Sequence, residues 1–97
     1  MKLLFHPSVY SDIEAIMEYY ENAASEVLAD EFYHELKAAL LASGARPESF
    51  SIRERDIRRV NLERFPYHFL FRIVGDTVRI LVVRHHHKQP SFGIRRR

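Results

Sequence analysis

The stretch from Tyr67 to Arg84 leaves this chain few choices. Tyr67–Val74 and Val78–Arg84 are mostly aromatic or β-branched, the residue types that suit a pleated, half-buried surface. Gly75-Asp76 separates the two runs, and a glycine at the first of two loop positions fits a type II′ hairpin turn. That turn sets a register in which Val74 faces Thr77, Arg72 faces Arg79, Leu70 faces Leu81 and His68 faces Val83. Because side chains alternate along a strand, one face then holds Tyr67, Phe69, Phe71, Ile73, Val78, Ile80 and Val82, and it is the expected core face. The other holds His68, Leu70, Arg72, Arg79, Leu81 and Val83. Two arginines directly opposite each other repel. The pair reads either as flexible side chains splayed into solvent or as a seat for phosphate or an acidic partner segment.

The elements before the hairpin follow from local signals. Lys2–Phe5 is a short apolar run, expected as a first strand, and His6-Pro7 breaks it ahead of a helix. Ser8 or Ser11 is the expected N-cap, with Ser11-Asp-Ile-Glu14 matching a capping box. Val9, Ile13, Ile16, Met17 and Tyr20 recur at helical spacing, predicting a first helix over about 8–22. A second helix starts near Ser25, with Leu28, Phe32, Leu36, Ala39 and Leu40 on one stripe and Gly44 as its expected stop. The short connection makes the two an antiparallel pair. Asp12, Glu14, Glu18, Glu21, Glu26, Asp30, Glu31 and Glu35 are expected on the solvated faces. Residues 45–55 read as a loop. Ile57–Glu63 reads as a strand, and Pro66, which has no donor for a ladder, is expected where the next strand begins.

The chain order is therefore strand, helix, helix, strand, strand, strand. That is an α+β fold, with a helical hairpin packed on a mostly antiparallel sheet. Ninety-seven residues make one domain, 1–97, in which 93–97 is expected as a frayed basic tail. The chain has no cysteine, which excludes disulfides and thiolate chemistry and accords with a cytoplasmic setting. Neither a signal peptide nor a membrane span is expected. The net charge of +2 conceals a segregation. Residues 1–36 carry eight acidic residues and one lysine, while residues 37–97 carry fourteen Lys or Arg and five acidic residues. A basic second half points to a polyanion or an acidic protein partner at the sheet and tail. The expected binding residues are Arg72, Arg79, Arg84, Lys88, Arg95, Arg96 and Arg97.

His85-His86-His87 is the other chemical feature. Adjacent strand residues point to opposite faces, and no Cys, Asp or distant His stands at zinc-site spacing. No metal and no cofactor are expected. Imidazoles at a strand end are suited instead to acid–base chemistry or to partner contacts.

Several blocks carry a resemblance: Phe5-x-Pro7, Asp12-Ile13-x-x-Ile16, Tyr19-Tyr20, Arg59-Val60-x-Leu62-x-x-Phe65-Pro66-Tyr67, Leu70-Phe71-Arg72-Ile73, and the ending His85, Lys88, Pro90. In joint order and spacing the chain resembles the RelE/ParE superfamily of bacterial type II toxins. The resemblance implies a small plasmid-stabilisation-type toxin that arrests growth and is silenced by a cognate antitoxin, in some cases within larger toxin–antitoxin assemblies. ParE-like members inhibit DNA gyrase; RelE-like members cleave mRNA on the ribosome. Nuclease members resembling this chain often carry Arg after the Tyr67-like position, where His68 stands. They often end with a tyrosine, where the nearest aromatic is Phe92, and Lys88 replaces an arginine. The helical hairpin and Phe65-Pro66-Tyr67 look more ParE-like, which favours a gyrase inhibitor. The alternative is an endoribonuclease, for which His68, Arg72, Arg79 and His85 are the candidate catalytic residues, with His68 and His85 sharing the Arg72–Arg79 face in the expected register. The antitoxin is expected to lay an acidic or amphipathic segment over Arg72 and Arg79.

Overall fold

The computed structural model describes residues 1–97. Five strands form one mixed sheet: β1 (Lys2–Phe5), β2 (Ile52–Glu54), β3 (Ile57–Asn61), β4 (Tyr67–Val74) and β5 (Thr77–His85), in the order β1-β5-β4-β3-β2. All neighbours are antiparallel except β1, which runs parallel to β5. Two helices, α1 (Ser8–Ala23) and α2 (Glu26–Ala45), cover one face. No helix is long and apolar enough to cross a membrane. The expected α+β arrangement is present with one addition. The region read as a loop over 45–55 contains a short 3₁₀ turn, Pro47–Ser49, and the three-residue strand β2. Its pairing with β3 is irregular and all three residues are exposed, so no alternating pattern marks it.

The helix starts differ from each other. Ser25 caps α2 as expected, its Oγ accepting from Leu28 N at 3.1 Å. At α1 the Ser11–Glu14 capping box is not used: the helix begins at Ser8, after Pro7, and His6 Nδ1 accepts from Ser8 N at 3.0 Å. Asp12, read as an outward helix residue, instead turns onto the sheet, its Oδ2 accepting from Val83 N at 3.1 Å. Gly44 does not stop α2; it lies within it. A Cβ there would come within 3.2 Å of Leu3 Cδ2 and Met1 O, so the glycine lets the first strand pass close to the helix.

The helix-side core is aromatic. Phe32 and Tyr20 meet Phe65 and Tyr67 edge-on, with ring centroids 5.4–6.1 Å apart. Val60, Phe69, Phe71, Val78 and Ile80 extend it along the sheet. Burial pushes the Tyr20 phenol up to about 12, with the Tyr67 phenol beside it, so it stays neutral in the core. Glu35, also expected on a solvated face, accepts from the backbone N–H groups of Glu63 and Arg64 and so fixes the β3–β4 connection to α2. Arg64 adds an ion pair to Glu31 at 3.0 Å.

The hairpin turn has the expected form, with Gly75 at φ 62 and no positive φ at Asp76. Near the turn the expected register holds: Val74 pairs with Thr77 and Arg72 with Arg79. Beyond Leu70 it does not. Phe71 pairs with Ile80, but Leu70 pairs with Val82 and His68 with Arg84, leaving Leu81 as the extra residue of a β-bulge. Leu81 and Val82 therefore both pack on the face away from the helices, with Ile57 and Leu70, while Val83 joins the helix-side core. The bulge reverses the expected facing of every β5 residue from Val82 onward.

Candidate functional site

That reversal builds the outer face. Arg84 now lies across from His68 on the same side of the sheet. Arg84 Nε donates to His68 Nε2 at 2.8 Å. With Nε2 accepting, the His68 ring proton sits on Nδ1, which donates to His86 Nδ1 at 2.9 Å. Arg59 Nη2 approaches the same His86 nitrogen at 3.3 Å, and its Nε donates to Asn61 Oδ1. Two guanidinium groups thus bracket two stacked imidazoles. His68 is 1% exposed, and its pKa is pushed down to about 3 by burial first, then by Arg59 and Arg84. The His86 pKa is lowered for the same first reason, with Arg59 next. Both rings are neutral near pH 7.

The other end of Arg84 organises the chain beyond β5. Its Nη1 donates to the carbonyl oxygens of Pro90 and Phe92 at 2.8 and 2.7 Å, with Gln89 O at 3.4 Å. The segment after His85 runs as successive i→i+3 turns around this group and folds back over Leu81 and Val82. Gly93, at φ 79, touches the sheet: a Cβ there would lie 2.6 Å from Val82 Cβ. Arg96 closes the arrangement. It donates to Asp12 Oδ2 at 2.6 Å, to Asp12 Oδ1 at 3.2 Å and to Leu81 O at 3.1 Å, while Asp12 also accepts from Val83 N. The first helix, the bulged strand and the tail meet at this carboxylate.

The sequence-derived candidates therefore separate. His68 is sealed under the tail as the acceptor for Arg84. His85 faces the helix side, its ring edge-on to Tyr67 at 5.0 Å, and its Nδ1 accepts from His87 N. The expectation that His68 and His85 share the Arg72–Arg79 face is corrected by the bulge. Arg84, expected to meet a polyanion, is 7% exposed with its donors directed at His68 and the tail carbonyls. Arg96 is engaged by Asp12, so the tail expected to fray is tied at that residue. Lys88 is exposed, its ammonium 5.0 Å from the Phe92 ring centroid. Arg72 and Arg79 are paired across the strands as expected and half-buried, with Arg72 3.5 Å from Asp56. Arg79 lies beside β1, opposite Leu4. Arg95 and Arg97 are exposed on the tail.

Asp12, Arg59 and His86 are the residues that sequence reasoning missed as organisers of this face. Asp12 and Arg96 are 84 residues apart, and only the tertiary fold brings them together. No group of three or more His, Cys, Asp or Glu side chains is placed to hold a metal ion.

Comparison with known proteins gives two findings. The model of the family described as ParE toxin of type II toxin–antitoxin system, parDE, matches residues 3–90. A solved chain described as the chromosomal ParDE TA system from P. aeruginosa is similar in fold, with a TM-score of 0.78 at 20% identity. The match covers 88% of this chain and 95% of that one. No curated protein matches the sequence.

Proposed function

The chain belongs to the ParE family of type II toxins, and from that premise we propose that it arrests growth by binding and inhibiting DNA gyrase, not by cutting RNA. A toxin of this type is paired with a cognate antitoxin. The observation that carries the choice of mechanism is the state of His68. A general base needs a free lone pair and a pKa near the working pH. The His68 lone pair accepts from Arg84, and its pKa lies at about 3.

The other candidate catalytic residues support the same reading. Arg72 stands four residues from His68 along β4, ~13 Å at strand rise. His85 lies on the opposite side of the sheet from both. A scissile phosphate cannot reach a base on one face and an acid on the other.

Two assays on purified full-length protein test the proposal: supercoiling by gyrase, and mRNA integrity on programmed ribosomes. Inhibited supercoiling with intact mRNA is the expected result. Ribosome-dependent cleavage would overturn it and make the protein an endoribonuclease.

A further inference from the structure

The tail creates a second feature that gyrase inhibition does not call for. Between the β2–β3 connection, the outer face of β4 and the returning tail lies a cleft of about 770 Å³. Arg55, Arg72, Arg95, Arg96 and Arg97 line it. These guanidinium groups come from three separate segments. Only Glu54 among the lining residues is acidic; Asp56, 3.5 Å from Arg72, and Asp12, paired with Arg96, are outside the lining. Arg72 Nε is buried without an acceptor in the protein, on a side chain that lines the cleft. Arg55 sits at φ 53, a backbone region that costs most side chains roughly 1–2 kcal/mol and that a glycine would occupy freely. The chain thus places an arginine at a turn position where its backbone is strained.

We propose that this cleft seats a ligand carrying adjacent phosphate groups, held by Arg55, Arg72, Arg95 and Arg97. The chemistry of the walls selects phosphate over an acidic peptide. Ile57 and Ile94 are the only large aliphatic side chains in the lining and no aromatic ring reaches it, so a peptide's side chains have little to pack against. The same absence of rings removes base stacking. What remains is charge presented from several directions, which suits a group with several acceptor oxygens. A free oligophosphate and the backbone of a nucleic-acid strand share that chemistry. The site goes beyond the gyrase reading, and its assay includes no gyrase.

The test is equilibrium binding to the purified full-length protein in low salt. The probes are inorganic tripolyphosphate, by calorimetry, and a fluorescein-labelled eight-nucleotide oligothymidylate, by anisotropy. At least one is expected to bind, with affinity falling steeply as salt rises. Tighter binding of tripolyphosphate assigns a free anion; tighter binding of the oligonucleotide assigns a strand. Arg55→Ala/Arg72→Ala is expected to weaken binding about tenfold or more, as loss of charge-assisted contacts requires. Arg95→Ala/Arg97→Ala, on exposed tail positions, gives the same direction without touching the sheet. Arg64→Ala, whose side chain pairs with Glu31 on the helix side, is expected to change affinity less than about twofold, as for an exposed ion pair. Failure of both probes to bind overturns the proposal. So do undiminished binding by both double variants, an equal loss in Arg64→Ala, and hexaglutamate binding as tightly as tripolyphosphate.

Discussion

The two faces of this sheet are ordered by opposite means. On the helix side, Phe32, Phe65, Phe69 and Phe71 exclude water, and the stabilisation comes from apolar burial. On the outer side only Ile57, Leu70, Leu81 and Val82 form a small buried cluster, with Ile94 against it. There the chain is held by directed hydrogen bonds from Arg84 and Arg96 to backbone carbonyls and to Asp12. The first kind of order tolerates small displacements and is spread over many residues. The second depends on a few donors, so single changes are expected to release the tail while leaving the helix side folded.

The largest effect should come from the apolar side. Phe32→Ala is expected to cost about 3–5 kcal/mol, read by urea denaturation of the whole domain. Arg84→Met should come next, at about 2–3 kcal/mol, because it leaves His68 Nε2 and the tail carbonyls without their charged donor. Here the sharper readout is local: amide exchange and proteolysis should accelerate after His85 more than in α2. If the whole domain opened together instead, the two faces would not be separable. Gly93→Ala should cost more than about 1 kcal/mol through strained φ and the clash with Val82, again with tail release as the signature. Asp12→Ala, removing the acceptor for Arg96 and Val83 N, should cost about 1–2 kcal/mol.

How legible each face was in the sequence follows the same division. The helix-side core could be read from alternation in β4 and spacing in α1 and α2, because apolar burial leaves a periodic trace. The register was readable from the turn as far as Phe71 and Ile80. One extra residue, Leu81, then moved Val82 and Arg84 to the outer face and His85 to the inner one. Nothing in a run of Ile80, Leu81, Val82 and Val83 says where a bulge falls, because each of them suits either face. Asp12 read as one of the acidic residues on a solvated helix face. Its partner, Arg96, looked like part of a solvated basic run, and 84 residues of intervening chain hide the pair. Strand β2 was missed because three exposed residues in irregular pairing carry no period. The arginine cleft was half legible: Arg72 on the outer face and the basic character of the tail were, but the contribution of Arg55 and the return of the tail were not.

A pH effect sharpens the comparison at its polar end. His68 has a folded pKa of about 3 against an ordinary value of 6.5, so the unfolded chain takes up the proton first. The stability this group supports is fully present above pH 6.5 and is lost as pH falls toward 3. The slope in that window approaches about 1.4 kcal/mol per pH unit. His86, also lowered, adds in the same direction. His68→Gln should flatten much of that slope in denaturation curves taken at several pH values.

The most direct single measurement is the NMR titration of the His68 ring. A neutral ring protonated on Nδ1, unchanged from pH 8 to about pH 4, is the result expected of a structural acceptor for Arg84. A ring that titrates between about pH 6 and 7 would contradict it, since such a group is free to exchange protons and suited to general acid–base catalysis.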